Sequence, residues 1–434
     1  MERRTIYSLL PSLRKNRNDR RGIALVNNFG LISILALLFS GACNYNRMSE
    51  AVADSTAAGT EPWADIYWPA WEIGMNGNST PSMNSIDFSA ANFILFGNDF
   101  TTSGTFVSEG TSGATWLDST SARMVVSKVH AAGNKVWPCI GGANTDSWFE
   151  GATNSTNLQT FVNNIKALVQ KYNYDGVDID WEPINNSTQF YNFIVALRAA
   201  LPSPYIISIA APYTGSQTLM AQVAPYVDQI NVMDYGLLQA WSGWVTWYAS
   251  SVYPYAAGGK TVTDVGGDKA VPSCDGGGTP PSDGGTHGLI AAGVASSKIG
   301  IGAEFGGCVW KGGVMQDGNG VLRAGEQWTT APSFRGDVPL YSRDSSGIMQ
   351  KYFDPHRYYW DPNAQAAYLS IQGATPAQDM FISFDDSNSI SAKFSYIRQK
   401  GIGGMIFWDF GFGYPGDGTY PLLTTIKKSR LSVR

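Results

Sequence analysis

Short apolar runs recur along this chain with amphipathic or polar stretches between them, the rhythm of strands alternating with helices. Eight runs read as strands: 65–71, 92–97, 135–140, 176–181, 205–211, 229–233, 299–303 and 404–407. The stretch 158–172 sets Phe161, Ile165, Leu168 and Val169 at helical spacing, and 187–199 repeats the pattern with Phe190, Phe193, Ile194 and Leu197. Strands joined by crossover helices predict an α/β protein, a closed (β/α)8 TIM barrel with its active site at the C-terminal ends of the strands. Two stretches break the rhythm. The first, 244–288, holds Trp247, Tyr248, Tyr253 and Tyr255 ahead of Gly and Pro clusters, and reads as a long loop over the barrel mouth. The second, 304–379, reads as a small α+β insertion after the seventh strand that forms one wall of a cleft. Its rings Tyr358, Tyr359 and Trp360 belong either beside the substrate path or in the core of that lobe. On this reading 61–303 carries strands one to seven, and 380–434 closes the barrel with the eighth strand and a C-terminal helix.

The fourth run is the most informative. Tyr174-Asp175-Gly176-Val177-Asp178-Ile179-Asp180-Trp181-Glu182 places carboxylates at alternate positions among Val, Ile and Trp. In a strand Asp178, Asp180 and Glu182 share one face and Val177, Ile179 and Trp181 the other. Residues i and i+2 lie roughly 6.5 to 7 Å apart, close enough for the acids to separate one another's pKa values. Burying such a row is costly unless the protein uses it. A solvated strand face and a divalent-metal site are the competing readings; the fully apolar opposite face argues against the first.

Composition narrows the picture. Charged residues make up only 15% of the chain, while Gly 48, Trp 14, Tyr 21 and Phe 20 describe a loop-rich protein with many flat rings of the kind that stack on sugars. The net charge of -5 gives a nucleic-acid partner little support. His130, His287 and His356 show no zinc-ligand spacing, and no metal is expected, a structural cation on Asp385 and Asp386 being a further alternative beside a metal at the acid run. Four cysteines do not make a disulfide scaffold: Cys139 reads as a buried thiol, and Cys274 and Cys308 lie in Gly-rich territory where a bridge is an open option. The N-terminus carries Arg3, Arg4, Arg14, Lys15, Arg17, Arg20 and Arg21, then an apolar run over 29–39 and the small residues Ser40-Gly41-Ala42 before Cys43. Residues 1–43 thus read as an export signal or a lipoprotein-type leader, with 44–60 a flexible polar linker. Secretion is the first expectation. Attachment to a membrane through the leader or a lipidated Cys43 is the alternative.

The acid run resembles the signature of the chitinases of glycoside hydrolase family 18, Asp-x-x-Asp-x-Asp-x-Glu, as Asp175, Asp178, Asp180 and Glu182 followed by Pro183. Cys139-Ile140-Gly141-Gly142 resembles the family's Ser-x-Gly-Gly element, with Cys139 in place of the usual Ser. Asn231-Val232-Met233-Asp234-Tyr235-Gly236 is similar to its Met-x-Tyr-Asp element, and 403–408 to its final strand. The stretch from Phe384 through Asp385, Asp386, Ser389, Lys393 and Tyr396 is similar to the one preceding that strand.

The resemblance implies endo-acting hydrolysis of chitin or chitooligosaccharides, with retention and without an enzyme nucleophile, because the substrate's own N-acetyl group attacks. It implies Glu182 as general acid and then base, Asp180 as the group that orients the acetamide, and Asp178 as the partner of Asp180. Tyr235 is implied as a donor to the acetamide carbonyl and Trp408 as the sugar floor. Asp175, Met233 and Trp71 are implied around the substrate. No cofactor and no obligatory protein partner are implied. One departure stands out: Gly236 occupies the position where the family pattern has an Asp after the Tyr, and Asp234 precedes that Tyr instead. In a strand Asp234 and Tyr235 face opposite ways, so Asp234 is not a simple replacement. An endo-β-N-acetylglucosaminidase acting on N-glycans and a catalytically silent chitin-binding lectin are the alternatives.

Overall fold

The computed structural model describes residues 61–73, 83–107, 117–212, 216–236, 246–251, 288–290, 292–312, 323–326, 333–342 and 345–432. The expected leader and linker, Cys43, Cys274, Tyr253, Tyr255 and His287 lie outside them. Among the described residues thirteen strands run in chain order as β1 Trp63–Pro69, β2 Asn92–Phe96, β3 Val136–Gly142, β4 Gly176–Trp181, β5 Ile206–Ala211, β6 Gln229–Val232, β7 Ile299–Glu304, β8 Gly306–Lys311, β9 Ser333–Pro339, β10 Tyr358–Asp361, β11 Ala366–Ile371, β12 Met380–Phe384 and β13 Gly404–Trp408. Eight of them close into a parallel barrel in the order β1-β13-β7-β6-β5-β4-β3-β2. The expected barrel is present, and its eighth strand is β13.

The outer face of β4 shows why these residues make a barrel strand. Val177, Ile179 and Trp181 are buried against the helices Leu158–Tyr172 and Ser187–Ala200, whose Phe161, Phe190 and Phe193 are fully buried. Trp181 lies flat on Phe149, with ring centroids 4.6 Å apart and planes at 7°. Its indole N–H donates to Asp146 at 2.7 Å, so the ring's one polar atom is satisfied. Each such ring contributes on the order of 2–3 kcal/mol of burial. The two faces of β4 therefore divide as the alternation predicts.

The insertion between β7 and β13 is built on a five-stranded antiparallel sheet in the order β10-β11-β12-β8-β9. It extends through Phe384: the segment 380–384, grouped with the barrel closure from the sequence, is the sheet's central strand. Tyr358, Tyr359 and Trp360 sit on β10, the opposite edge from β9, about 19 Å away at four strand spacings. Tyr359 stacks on Tyr368 at 5.4 Å and Tyr358 donates to Asp386 at 2.8 Å, so these rings serve the lobe itself. Trp247 and Tyr248, expected in a loop over the mouth, are buried instead, with Tyr248 donating to Asp361 at 2.7 Å.

Inside the barrel, near the end opposite the mouth, Asp65 of β1 is fully buried and takes a hydrogen bond from Asn92, the first residue of β2, at 2.8 Å. Burial pushes its carboxyl up to about 7 against the opposing effect of Asn92 and Gln229. A carboxyl raised on folding favours the fold in its neutral form. Its contribution is complete below the unfolded value near 3.8 and is lost as pH rises through about 7. Asp65→Asn should therefore flatten the decline of Tm between acid and neutral pH, by up to about 1.4 kcal/mol per pH unit in that window. Parallel Tm–pH curves for the two proteins would show that Asp65 does not titrate there.

Candidate active site

Asp178 and Asp180 project from the inner face of β4, and Glu182 follows just beyond its C-terminal end. Asp178 has no exposed surface and Asp180 is buried, while Glu182 is half-buried at the rim. Three donors hold Asp178. Tyr67 of β1 donates its hydroxyl at 2.9 Å, Ser208 of β5 donates at 2.5 Å, and the thiol of Cys139, beside it in register on β3, completes the set. Trp137 orients Ser208 through its indole N–H at 3.1 Å. Burial raises the Asp178 carboxyl, and these donors oppose the shift without cancelling it.

Asp180 and Glu182 form a hydrogen-bonded pair. Burial is the largest cause of the rise in both, and the negative charges of Glu182 and Asp178 add to it at Asp180. The shared hydrogen bond raises Asp180 and lowers Glu182, so the pair keeps a proton well above the usual carboxylate range, resting toward Asp180. Oδ1 of Asp180 is buried with no hydrogen-bond partner. It is an acceptor that the described residues leave unfilled.

Backbone shape makes this packing possible. Gly141 sits at φ +112 at the end of β3, where a Cβ would lie 2.1 Å from the carbonyl oxygen of Asp180. The Gly-Gly pair after Cys139 lets β3 pass beside the acids without pushing them aside.

Tyr235 follows β6, half-buried, in the same inner cluster as Tyr67, Ile94, Trp137, Cys139, Ile406 and Trp408. Its phenol is held protonated by burial first, then by the charges of Asp180, Glu182, Glu304 and Asp337, and so remains a hydrogen-bond donor. Trp408 closes the floor at the end of β13, its ring 5.9 Å from Tyr67, 5.5 Å from Phe96 and 6.4 Å from Trp71. Trp71 is 39% exposed at the mouth, as a ring that meets a ligand would be. Met233 lies half-buried just past β6.

Asp175 does not join this group. Its carboxylate accepts from the Val136 N–H at 2.7 Å and pairs with His130 at 2.8 Å, before β4 begins. It braces the strand at the end opposite the mouth, so the substrate contact implied for it is corrected to a structural tie. Asp385 and Asp386 are likewise engaged inside the fold. Asp385 is bound by Lys393 at 2.6 Å, and Asp386 caps the helix Ser387–Lys400. Among the described residues no cluster of three or more His, Cys, Asp or Glu is arranged to hold a metal ion. Cys139 and Cys308 are free, buried thiols.

Tyr67 and Ser208 escaped sequence reading, although strand alternation could have flagged Tyr67 as an inner residue of β1. Glu304, the last residue of β7, escaped it too, and so did Asp337, whose approach to Tyr235 depends on how the insertion folds back.

The chain matches Glycosyl hydrolases family 18 over residues 66–413. It is 29% identical over 282 residues to Chitinase A1 of Niallia circulans, covering 59% of this chain and 37% of that protein. It is thus compared with little more than a third of that relative's length. A Group IV chitinase of Ostrinia furnacalis superposes with TM-score 0.64 at 19% identity, over 86% of this chain and 100% of that one. A chitinase-like agglutinin of Robinia pseudoacacia superposes with TM-score 0.61 at 18% identity, over 84% and 98%. At those identities the two structures establish the fold alone.

Proposed function

The chain belongs to the glycosyl hydrolases of family 18, and on that premise we propose that it is a chitinase cleaving β-1,4-linked N-acetylglucosamine polymers by substrate-assisted, retaining hydrolysis. The observation that carries this reading is the acid stack itself. Asp178, Asp180 and Glu182 rise along one strand to the mouth, beside the Tyr235 hydroxyl and the Trp408 ring, with one Asp180 oxygen unpartnered.

The chemistry follows from the positions of protons. An acetamide N–H donating to Asp180 Oδ1 favours the charged form of Asp180 and drives the shared proton onto Glu182. Glu182 is then a general acid at the rim, placed to protonate the glycosidic oxygen as the C1–O bond breaks. Tyr235 donates to the acetamide carbonyl and holds its oxygen toward C1, where it supplies the electron pair for the new bond. The resulting oxazolinium carries positive charge beside the Asp180 carboxylate, and the negative charge of Asp178 behind it adds to the field that stabilises it. Water then gives its proton to Glu182 and opens the ring, with net retention.

Chitooligosaccharides and a high-mannose glycopeptide, offered side by side, test the substrate class. Short N-acetylglucosamine oligomers are the expected products, with the glycopeptide intact. Exclusive release of the N-glycan would reassign the same chemistry to an endo-β-N-acetylglucosaminidase. Tight oligomer binding with no products would make the chain a lectin.

A further inference from the structure

The loss of an acid at Gly236 draws attention to what stands opposite it. Gly236 has φ +60, and a Cβ built there would lie 3.6 Å from Oδ1 of Asp337. Asp337 comes from β9, far away in sequence, on the edge of the insertion's sheet. Register along β8 and β9 shifts between Gly307 and Val309, so that Gly336 and Asp337 together face Cys308. Such a bulge turns a side chain out of the ladder. Asp337 itself has φ +49, a left-handed conformation that costs a non-glycine residue about 1 kcal/mol or more. Asp337 is exposed as a residue, yet its carboxyl is desolvated enough to be raised above the usual carboxylate value.

A second carboxyl points to the same place. Glu304 pairs in register with Trp408 of β13, and Gly302, two residues earlier on the same face, would press a Cβ to 2.8 Å from the Tyr235 ring. Glu304 therefore faces the barrel mouth between Trp408 and Tyr235. It is 2% exposed, and its Oε1 has no hydrogen-bond partner. An orphaned acceptor buried this deeply, beside a sugar-stacking ring, is unfinished unless a ligand completes it.

Resting on the glycosidase reading above, we propose that Asp337, backed by Glu304, is a substrate-binding acid that accepts hydrogen bonds from the hydroxyl groups of a bound aminosugar at the Tyr235 edge of the cleft. The insertion thus supplies, from β9 of the same chain, the carboxylate that the segment after β6 lacks. Gly236 leaves the room for it. A specificity consequence follows: acceptors aimed at hydroxyls discriminate against sugars whose hydroxyl there is blocked or missing, because each would strand a desolvated carboxyl oxygen.

The test uses the full chain carrying Glu182→Gln, with chitotetraose as the probe and calorimetry as the readout. Asp337→Ala in this background should weaken binding about tenfold, the scale of one hydrogen bond to a charged acceptor. Glu304→Gln should weaken it by less. Adding Gly236→Asp to Asp337→Ala should restore most of the affinity, since a carboxylate then returns from the other side of the same space. In the active enzyme Asp337→Ala should raise KM far more than it lowers kcat. Equal affinity with and without Asp337, or a loss that Gly236→Asp does not rescue, would overturn the proposal. Absence of chitotetraose binding in the Glu182→Gln protein itself would instead overturn the glycosidase reading on which it rests.

Discussion

Replacing Glu182 by Gln should lower kcat on chitooligosaccharides at least a hundredfold, the usual contribution of a positioned general acid, while leaving Kd for the oligomer within a few-fold. Gln keeps the size and hydrogen-bonding capacity of Glu and removes only the titratable proton. The wild-type pH profile carries the same information. Burial raises the Asp180–Glu182 pair, and the acid must be protonated to act. Activity should therefore be held at low pH and fall as pH rises through the raised value of the pair, a limb that Glu182→Gln abolishes along with turnover. Undiminished turnover in the Gln variant would remove Glu182 from the role of acid, and with it the mechanism built on the β4 stack.

That stack was legible in the sequence because a strand enforces a period of two, and only one face of β4 had residues able to pack under helices. Val177, Ile179 and Trp181 had to face outward, so Asp178 and Asp180 had to face in. The strands of the barrel were legible for a similar reason, being apolar runs too short for helices. Asp175 misled because a fixed spacing says nothing about which end of a strand a residue occupies. It is three residues before Asp178, an odd step that takes it off the inner row, and its partners His130 and Val136 lie at the barrel's far end. The aromatic cluster at Tyr358 to Trp360 could be assigned either to the cleft or to the lobe, because a sequence does not order the strands of an antiparallel sheet. The strand that approaches Tyr235 is β9, whose sequence Ser333-Phe334-Arg335-Gly336-Asp337-Val338-Pro339 carries few rings. Asp337 matters through a bulge and a positive φ, neither of which is visible before the chain is folded.

Removal of one cation beneath the insertion should be the most damaging single change to stability. Lys393, on the helix Ser387–Lys400, reaches both oxygens of Asp385 at 2.6 Å and the hydroxyl of Ser250 at 2.7 Å. Both charged side chains are 3% exposed. Asp385 directly follows β12, whose neighbour β8 receives its N–H through Gly306, and Ser250 belongs to the segment buried against the insertion. The triad ties three stretches that the chain brings together from far apart. Lys393→Met would leave the Asp385 carboxylate buried with only the Ser250 hydroxyl beside it, a situation that costs about 3–5 kcal/mol. In a denaturant titration the midpoint should fall with little change in slope. Lys393→Met combined with Asp385→Leu should recover much of the loss, because an apolar pair of similar volume avoids the desolvation that the ion pair only offsets. A single variant within about 1 kcal/mol of the wild type would mean that water reaches Asp385 readily. The footing of β9, and with it the placement of Asp337 against Gly236, would then depend on the sheet's backbone ladder and on Phe305, whose carbonyl accepts from Leu340 at 2.9 Å.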